Sequence, residues 1–147
     1  MWRGRYPEGL PVDPDVADAR RGSLVVGLVF AGGCLGGWAR YAVTTAWTSS
    51  TYGFPWPTFV INTAGAFVLG VVVVLALRGP RWLRPLAGTG FCGGLTTFSA
   101  LAVAVNRLAA HGHVGTAAAY AAASTVAGIA AAWAGLWLAG QLVGETP

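Results

Sequence analysis

The residues that could bind a small ligand are concentrated in the second half of the chain. The segment GTGFCGGLTTFSAL, residues 88–101, combines glycines with four hydroxyl residues and two phenylalanines. Hydroxyl protons donate hydrogen bonds to anions, and the edge of a phenyl ring is electropositive. An amide and a guanidinium also lie in apolar surroundings, although the guanidinium can equally extend to a lipid headgroup. These groups favour an anion as the ligand. The residues concerned are Arg40, Asn62, Thr96, Thr97, Phe98 and Ser99.

Carboxylates are missing from the same apolar stretches, and this argues against several functions. All five acidic residues lie outside residues 22–144. Small four-helix exporters driven by protons need a carboxylate inside the membrane. The apolar segments carry no Ser-His-Asp set and no cluster of metal ligands, and GTGFCGG is not followed by the lysine of a phosphate-binding loop. An enzyme is therefore not expected.

The elements that must position these residues are membrane-spanning helices. The chain is 55% hydrophobic and 10% charged, whereas soluble domains contain about 25% charged residues. Each crossing of a bilayer needs roughly 20 apolar residues in a helix. Four such helices are predicted, at residues 23–47, 56–77, 86–108 and 114–142. We expect one transmembrane domain over residues 22–143, preceded by a disordered cytoplasmic leader over residues 1–21, which is polar and has no apolar periodicity.

Two of the predicted helices contain unusual glycines. In the first helix, Gly32/Gly36 and Gly33/Gly37 form two overlapping pairs of small residues four positions apart, a spacing that allows close helix packing in membranes. In the third helix, the glycines of residues 88–94 precede hydroxyl residues and make an uninterrupted helix unfavourable. Because broken backbone at membrane depth occurs only where protein or a polar cavity surrounds it, we predict a functional break there.

These segments resemble the Fluc (CrcB) family of fluoride channels. The matching motifs are GGCLGGWARY (32–41), PTFVINTAGAFVLG (57–70) and GTGFCGGLTTFS (88–99), with a fourth helix of small residues that contains Tyr120. The resemblance covers about residues 24–140, and the third motif is its most specific part.

The resemblance implies a fold and a function. The chain is then one subunit of an antiparallel dimer of four-helix subunits in the cell membrane, which conducts fluoride passively out of the cytoplasm. It also implies a structural Na⁺ at the dimer centre, held by main-chain carbonyls of Gly93 and Thr96. The residues that the resemblance assigns to the anion pathway are Arg40, Asn62, Thr97, Phe98, Ser99 and Tyr120.

The sequence departs from the family pattern next to the third motif. The family commonly reads TTFSTF, whereas this chain reads TTFSAL, so that Leu101 replaces a second phenylalanine. A pore built from this subunit alone would therefore be incomplete. Two other functions remain open at this point, a small multidrug-type transporter and a membrane assembly protein without transport activity.

The distribution of arginines predicts one orientation in the membrane. Seven of the nine arginines border the predicted helices on one side, and only Arg107 lies in a loop on the other, with Arg40 inside its helix. Since loops rich in arginine stay in the cytoplasm, both termini are predicted to be cytoplasmic. An antiparallel homodimer would need insertion in both directions, so we favour a heterodimer with a related subunit of opposite bias. The seven arginines are Arg3, Arg5, Arg20, Arg21, Arg78, Arg81 and Arg84.

Overall fold

The computed structural model describes residues 22–47 and 49–144, and these residues form four helical spans. Every span is long and apolar enough to cross a membrane. This confirms the predicted all-α membrane fold with a broken third helix. The leader over residues 1–21 lies outside the described residues, so its disorder stays a prediction, as does the antiparallel two-subunit assembly. The elements are α1 (Gly22–Ala46), α2 (Trp56–Arg78), a π-helical segment (Arg84–Cys92), α3 (Gly93–Leu95), α4 (Phe98–Ala110) and α5 (Val114–Gly144).

Helix α1 packs against the first half of the third span through its glycines. A side chain at Gly32 would collide with the carbonyl group of Leu86, and one at Gly36 with the carbonyl group of Phe91. Farther along, the Arg40 side chain reaches the backbone at Thr96. As the contacts move from Gly32 to Arg40 along α1, their partners move from Leu86 to Thr96 along the third span, so the two segments run parallel. The predicted close packing of the first small-residue pair is therefore confirmed.

Helices α2 and α5 form a second parallel pair. A side chain at Gly70 would collide with the carbonyl group of Ala132, and one at Gly135 with the carbonyl group of Phe67. At the carboxyl ends of the two helices, Arg78 Nη1 donates a hydrogen bond to the Val143 carbonyl at 2.8 Å. The loop after α2 and the end of α5 therefore lie on the same side of the molecule.

The break in the third span lies after the glycines and not among them. Residues 84–95 remain helical, first with the wider π-helical geometry and then as α3. The backbone becomes extended at Thr96 (φ −79°, ψ 154°) and Thr97 (φ −149°, ψ 116°), and α4 begins at Phe98. The backbone at these glycines stays helical because several of them pack against the backbone of α1, as Gly94 does against Gly33.

The loop between α1 and α2 and the turn between α4 and α5 meet at the opposite end from Arg78. The Tyr52 ring stacks on the His113 ring, with centroids 5.3 Å apart, and lies 5.1 Å from the His111 ring. Between the histidines, Gly112 has a φ of 83°, a left-handed conformation that a glycine adopts without strain.

Candidate functional site

The amide of Asn62 holds the extended backbone of the broken span. Its Nδ2 donates to the Thr97 carbonyl at 3.0 Å, and its Oδ1 accepts from the Thr97 N–H at 2.8 Å. The Thr97 N–H is a donor and the Thr97 carbonyl is an acceptor, so this pair of bonds determines which end of the Asn62 amide is the oxygen and which is the nitrogen. One of the two Nδ2 hydrogens is used in this arrangement, and the second is left for another acceptor.

Two main-chain carbonyls next to the break have lost the donors that a continuous helix would supply. The Thr97 N–H, which would close onto the Gly93 carbonyl, donates to Asn62 instead. The Ala100 N–H, which would close onto the Thr96 carbonyl, donates at 3.2 Å to Thr97 Oγ1, the N-cap of α4. The Thr96 carbonyl accepts a long bond of 3.4 Å from Arg40 Nη1. Both carbonyls are therefore released from helical hydrogen bonding.

A polar cavity of about 400 Å³ opens beside the break. Among the described residues that line it, Arg40 contributes the one formal charge, and Thr97 Oγ1 lies 3.1 Å from Ser99 Oγ. A guanidinium and hydroxyl donors in a cavity wall attract anions. Three of the predicted pathway residues thus meet in one cavity. Its lining consists of Gly37, Arg40, Tyr41, Thr44, Thr58, Ile61, Thr97, Ser99 and Ala100.

Phe98 and Gly93 lie at the surface of the single chain. The Phe98 side chain is 81% exposed although it begins the helix that follows the break. A side chain added at Gly93 would meet no atom within 4 Å. Packing within the chain therefore does not explain the glycine at this position. The two residues are available to contact a second subunit.

Tyr120 lies away from the cavity, inside the pair formed by α2 and α5. Its side chain is fully buried, and its hydroxyl lies next to the hydroxyls of Ser124 and Thr58. The oxygens of Tyr120, Ser124 and Thr63 are buried, and among the described residues they form no hydrogen bond of good geometry. The Tyr120 hydroxyl therefore lies in a small group of buried hydroxyls.

Thr58, Thr63 and Ser124 were not among the residues that the sequence suggested. Thr58 lines the cavity and also lies next to Tyr120, so it connects the two regions. The sequence spacing could have indicated two of the three, because Thr58 precedes Asn62 by four residues and Ser124 follows Tyr120 by four. Residues four apart share one face of a helix.

Side chains offer no site for a metal ion in the part of the chain that the structure describes. No group of three or more His, Cys, Asp or Glu residues converges there. A cation in these residues would have to bind main-chain oxygens, and the released carbonyls of Gly93 and Thr96 are suitable ligands for a hard monovalent ion.

Fold and site together define a multi-pass membrane protein with a cavity at a helix break, whose wall carries a guanidinium and hydroxyl groups and, among the described residues, no carboxylate. The family model described as CrcB-like protein, Camphor Resistance (CrcB), matches residues 27–136, and the chain belongs to this family. The resemblance seen in the sequence is thereby confirmed.

Curated relatives of the chain are named as ion channels. A protein of Streptomyces coelicolor, "Fluoride-specific ion channel FluC 1", is 41% identical over 88% of this chain and 86% of its own length. Two proteins of Streptomyces avermitilis, named FluC 2 and FluC 3, are 44% and 42% identical, over 74% and 76% of this chain and 74% and 56% of their own lengths. These names denote a class of proteins that are not enzymes, in agreement with the expectation from the sequence.

Proposed function

We propose that the chain is a subunit of a passive, fluoride-selective channel that exports fluoride from the cytoplasm. The observation that carries the proposal is the break at Thr96 and Thr97, where hydroxyls and Arg40 face one cavity. The names of the relatives give the ion, because they are called fluoride-specific ion channels.

The groups around the break suit an ion that holds its water strongly. A pore for fluoride must replace that hydration shell with several donors and still release the ion. Thr97 and Ser99 supply hydroxyls at the cavity wall, and Arg40 supplies an attractive potential. Asn62 has one amide hydrogen left after it binds Thr97, and this hydrogen donates to the anion. No lysine is present anywhere in the chain to trap the ion by its charge.

Phe98 and Tyr120 extend the pathway away from the cavity. The exposed ring of Phe98 presents its electropositive edge to the ion where a second subunit covers it. The buried hydroxyls of Tyr120 and Ser124 lack partners within the chain, which supports a path for water or fluoride along α5. Thr58 joins this path to the cavity.

The released carbonyls of Gly93 and Thr96 are proposed to hold a structural Na⁺. Two oxygens from one chain are too few to replace the hydration shell of the ion, whereas two chains supply four. The exposed position of Gly93 supports such a shared site, because no described residue of its own chain covers it. A bound Na⁺ would join the subunits through main-chain oxygens. The long contact between Arg40 and the Thr96 carbonyl, at 3.4 Å, is weak enough to give way to it.

We propose an antiparallel heterodimer in the inner (plasma) membrane, with both termini of this chain in the cytoplasm. The excess of arginines on one side supports a single orientation. Leu101 stands where the family commonly has a second phenylalanine, so the partner would supply the missing ring. Streptomyces avermitilis has both a FluC 2 and a FluC 3 relative, which supports the use of two different subunits in one cell.

Fluoride efflux from proteoliposomes tests the proposed function. The chain is reconstituted alone and together with a second family member from the same genome, and released fluoride is measured with an ion-selective electrode. Rapid efflux in the preparation with both subunits, lost in Phe98→Ile, is the expected result. A multidrug-type transporter would instead need a proton gradient and an organic cation, and an assembly protein would release no fluoride in either preparation.

A further inference from the structure

The loop between α1 and α2 covers Tyr120 with an aromatic side chain. The Phe54 ring packs against the Tyr120 ring edge to face, with centroids 5.2 Å apart and planes at 87°. Trp56 and Phe59 pack on Phe54 in turn, at 4.5 Å and 5.4 Å. Phe54 is therefore the loop residue through which this aromatic cluster reaches α5.

The loop is anchored on both sides of Phe54. On one side, Tyr52 stacks on His113 and packs against His111, in the turn between α4 and α5. On the other, α2 begins at Trp56, directly after Pro55. The position of the Phe54 ring is thus determined by elements that lie outside the cavity.

The Tyr120 hydroxyl occupies the junction between two groups of polar atoms. It lies next to Thr58, which lines the cavity, and next to Ser124, whose buried oxygen has no partner. The Tyr120 ring is fully buried, so packing restricts its orientation. The edge contact with Phe54 is part of that packing and limits the rotamers that the ring can adopt.

We propose that Phe54 is a positioning residue for Tyr120, which holds the Tyr120 hydroxyl between Thr58 and Ser124 and so connects the cavity to the buried hydroxyls. The inference rests on the proposed function, since it assigns a role in anion passage. Phe54 itself does not touch the ion. Its effect on transport passes through the Tyr120 hydroxyl alone.

A double-mutant cycle on fluoride efflux tests this role in the full chain, reconstituted in whichever form conducts. Phe54→Ala and Tyr120→Phe should each lower the flux by about threefold or more, the scale of one interhelical hydrogen bond in a membrane. The double variant should conduct no less than Tyr120→Phe, because the hydroxyl on which Phe54 acts is already gone. Phe54→Tyr, which keeps the ring edge, should retain the flux of the unmodified chain.

Trp82→Ala is the matched control. It removes a half-exposed tryptophan in the loop after α2, outside the aromatic cluster around Phe54, and its flux should stay within about twofold of the unmodified chain. If Phe54→Ala does not fold, as judged by its melting temperature, Phe54→Leu takes its place in the cycle.

Three results would overturn the inference. These are an unchanged flux in Phe54→Ala, an unchanged flux in Tyr120→Phe, and losses that multiply in the double variant. Multiplied losses would mean that Phe54 supports the fold and not the hydroxyl. If the unmodified chain gives no fluoride flux in any preparation, the proposed function is refuted instead. This outcome differs from the other three, which all require an unmodified chain that conducts.

Discussion

Replacing Asn62 with alanine should destabilise the protein at the break in the third span. The substitution removes two hydrogen bonds to the Thr97 backbone, of 3.0 Å and 2.8 Å. Each bond contributes about 1 kcal/mol, and each partner left without a bond costs about 1–3 kcal/mol. Because the site is only partly buried and borders a polar cavity, we take the lower part of this range, about 2–4 kcal/mol in total.

Thermal unfolding of the purified protein in detergent measures this effect, with fluoride efflux as the second reading. A loss of this size corresponds to a melting temperature lower by on the order of 5–10 °C. Asn106→Ala is the matched control, because Asn106 is exposed on α4. It makes the same chemical change without disturbing the break. A melting temperature of Asn62→Ala equal to that of Asn106→Ala would refute the role assigned to the amide.

Four further predictions follow from the same structure. Phe98→Ile should strongly reduce fluoride flux without lowering the melting temperature, whereas Phe30→Ile, at another exposed phenylalanine, should leave both unchanged. Gly36→Ala should impair folding, because its methyl group would collide with the carbonyl of Phe91, and Gly27→Ala, which meets nothing within 4 Å, should not. Replacing all Na⁺ with a bulky organic cation should lower the activity or the stability of the dimer, and no change in either would remove the cation site. When the chain is expressed alone, a C-terminal reporter active only in the cytoplasm should show that all copies have one orientation, and the cells should not be resistant to fluoride. Copies in both orientations, or full fluoride resistance without a partner, would contradict the heterodimer.

The four spans could be predicted closely because membrane helices depend on a property that is local in the sequence. An uninterrupted apolar stretch of sufficient length has few alternatives to a helix in a bilayer. The second span was predicted at residues 56–77 and occurs at Trp56–Arg78. The fourth was predicted at residues 114–142 and occurs at Val114–Gly144.

The exact position of the break could not be predicted in this way. The predicted segment, residues 88–101, contains the break, but its glycines at residues 88–94 stay helical because close packing on α1 uses the glycines that weaken an isolated helix. The break at Thr97 depends on Asn62, which is 35 residues away in the sequence. Contacts over such distances are tertiary, so no local pattern contains them.

The position of Tyr120 outside the cavity could not be predicted from the sequence either. The hydroxyl residues of the third and fourth spans have similar chemistry, but Thr97 and Ser99 line an open cavity whereas Tyr120 is fully buried. Part of that difference arises because the Phe54 ring, which itself packs on Phe59, covers Tyr120 from the loop. The roles of the site residues in anion passage remain predictions until flux is measured.

The most direct test of a passive fluoride channel is the charge balance of its transport. Proteoliposomes containing the chain with its partner subunit are loaded with potassium fluoride, and efflux is started by valinomycin, which lets K⁺ follow the anion. The account predicts rapid fluoride efflux that depends on valinomycin, needs no proton gradient and is absent when chloride replaces fluoride. Efflux that requires a proton gradient, or chloride efflux as fast as that of fluoride, would contradict it.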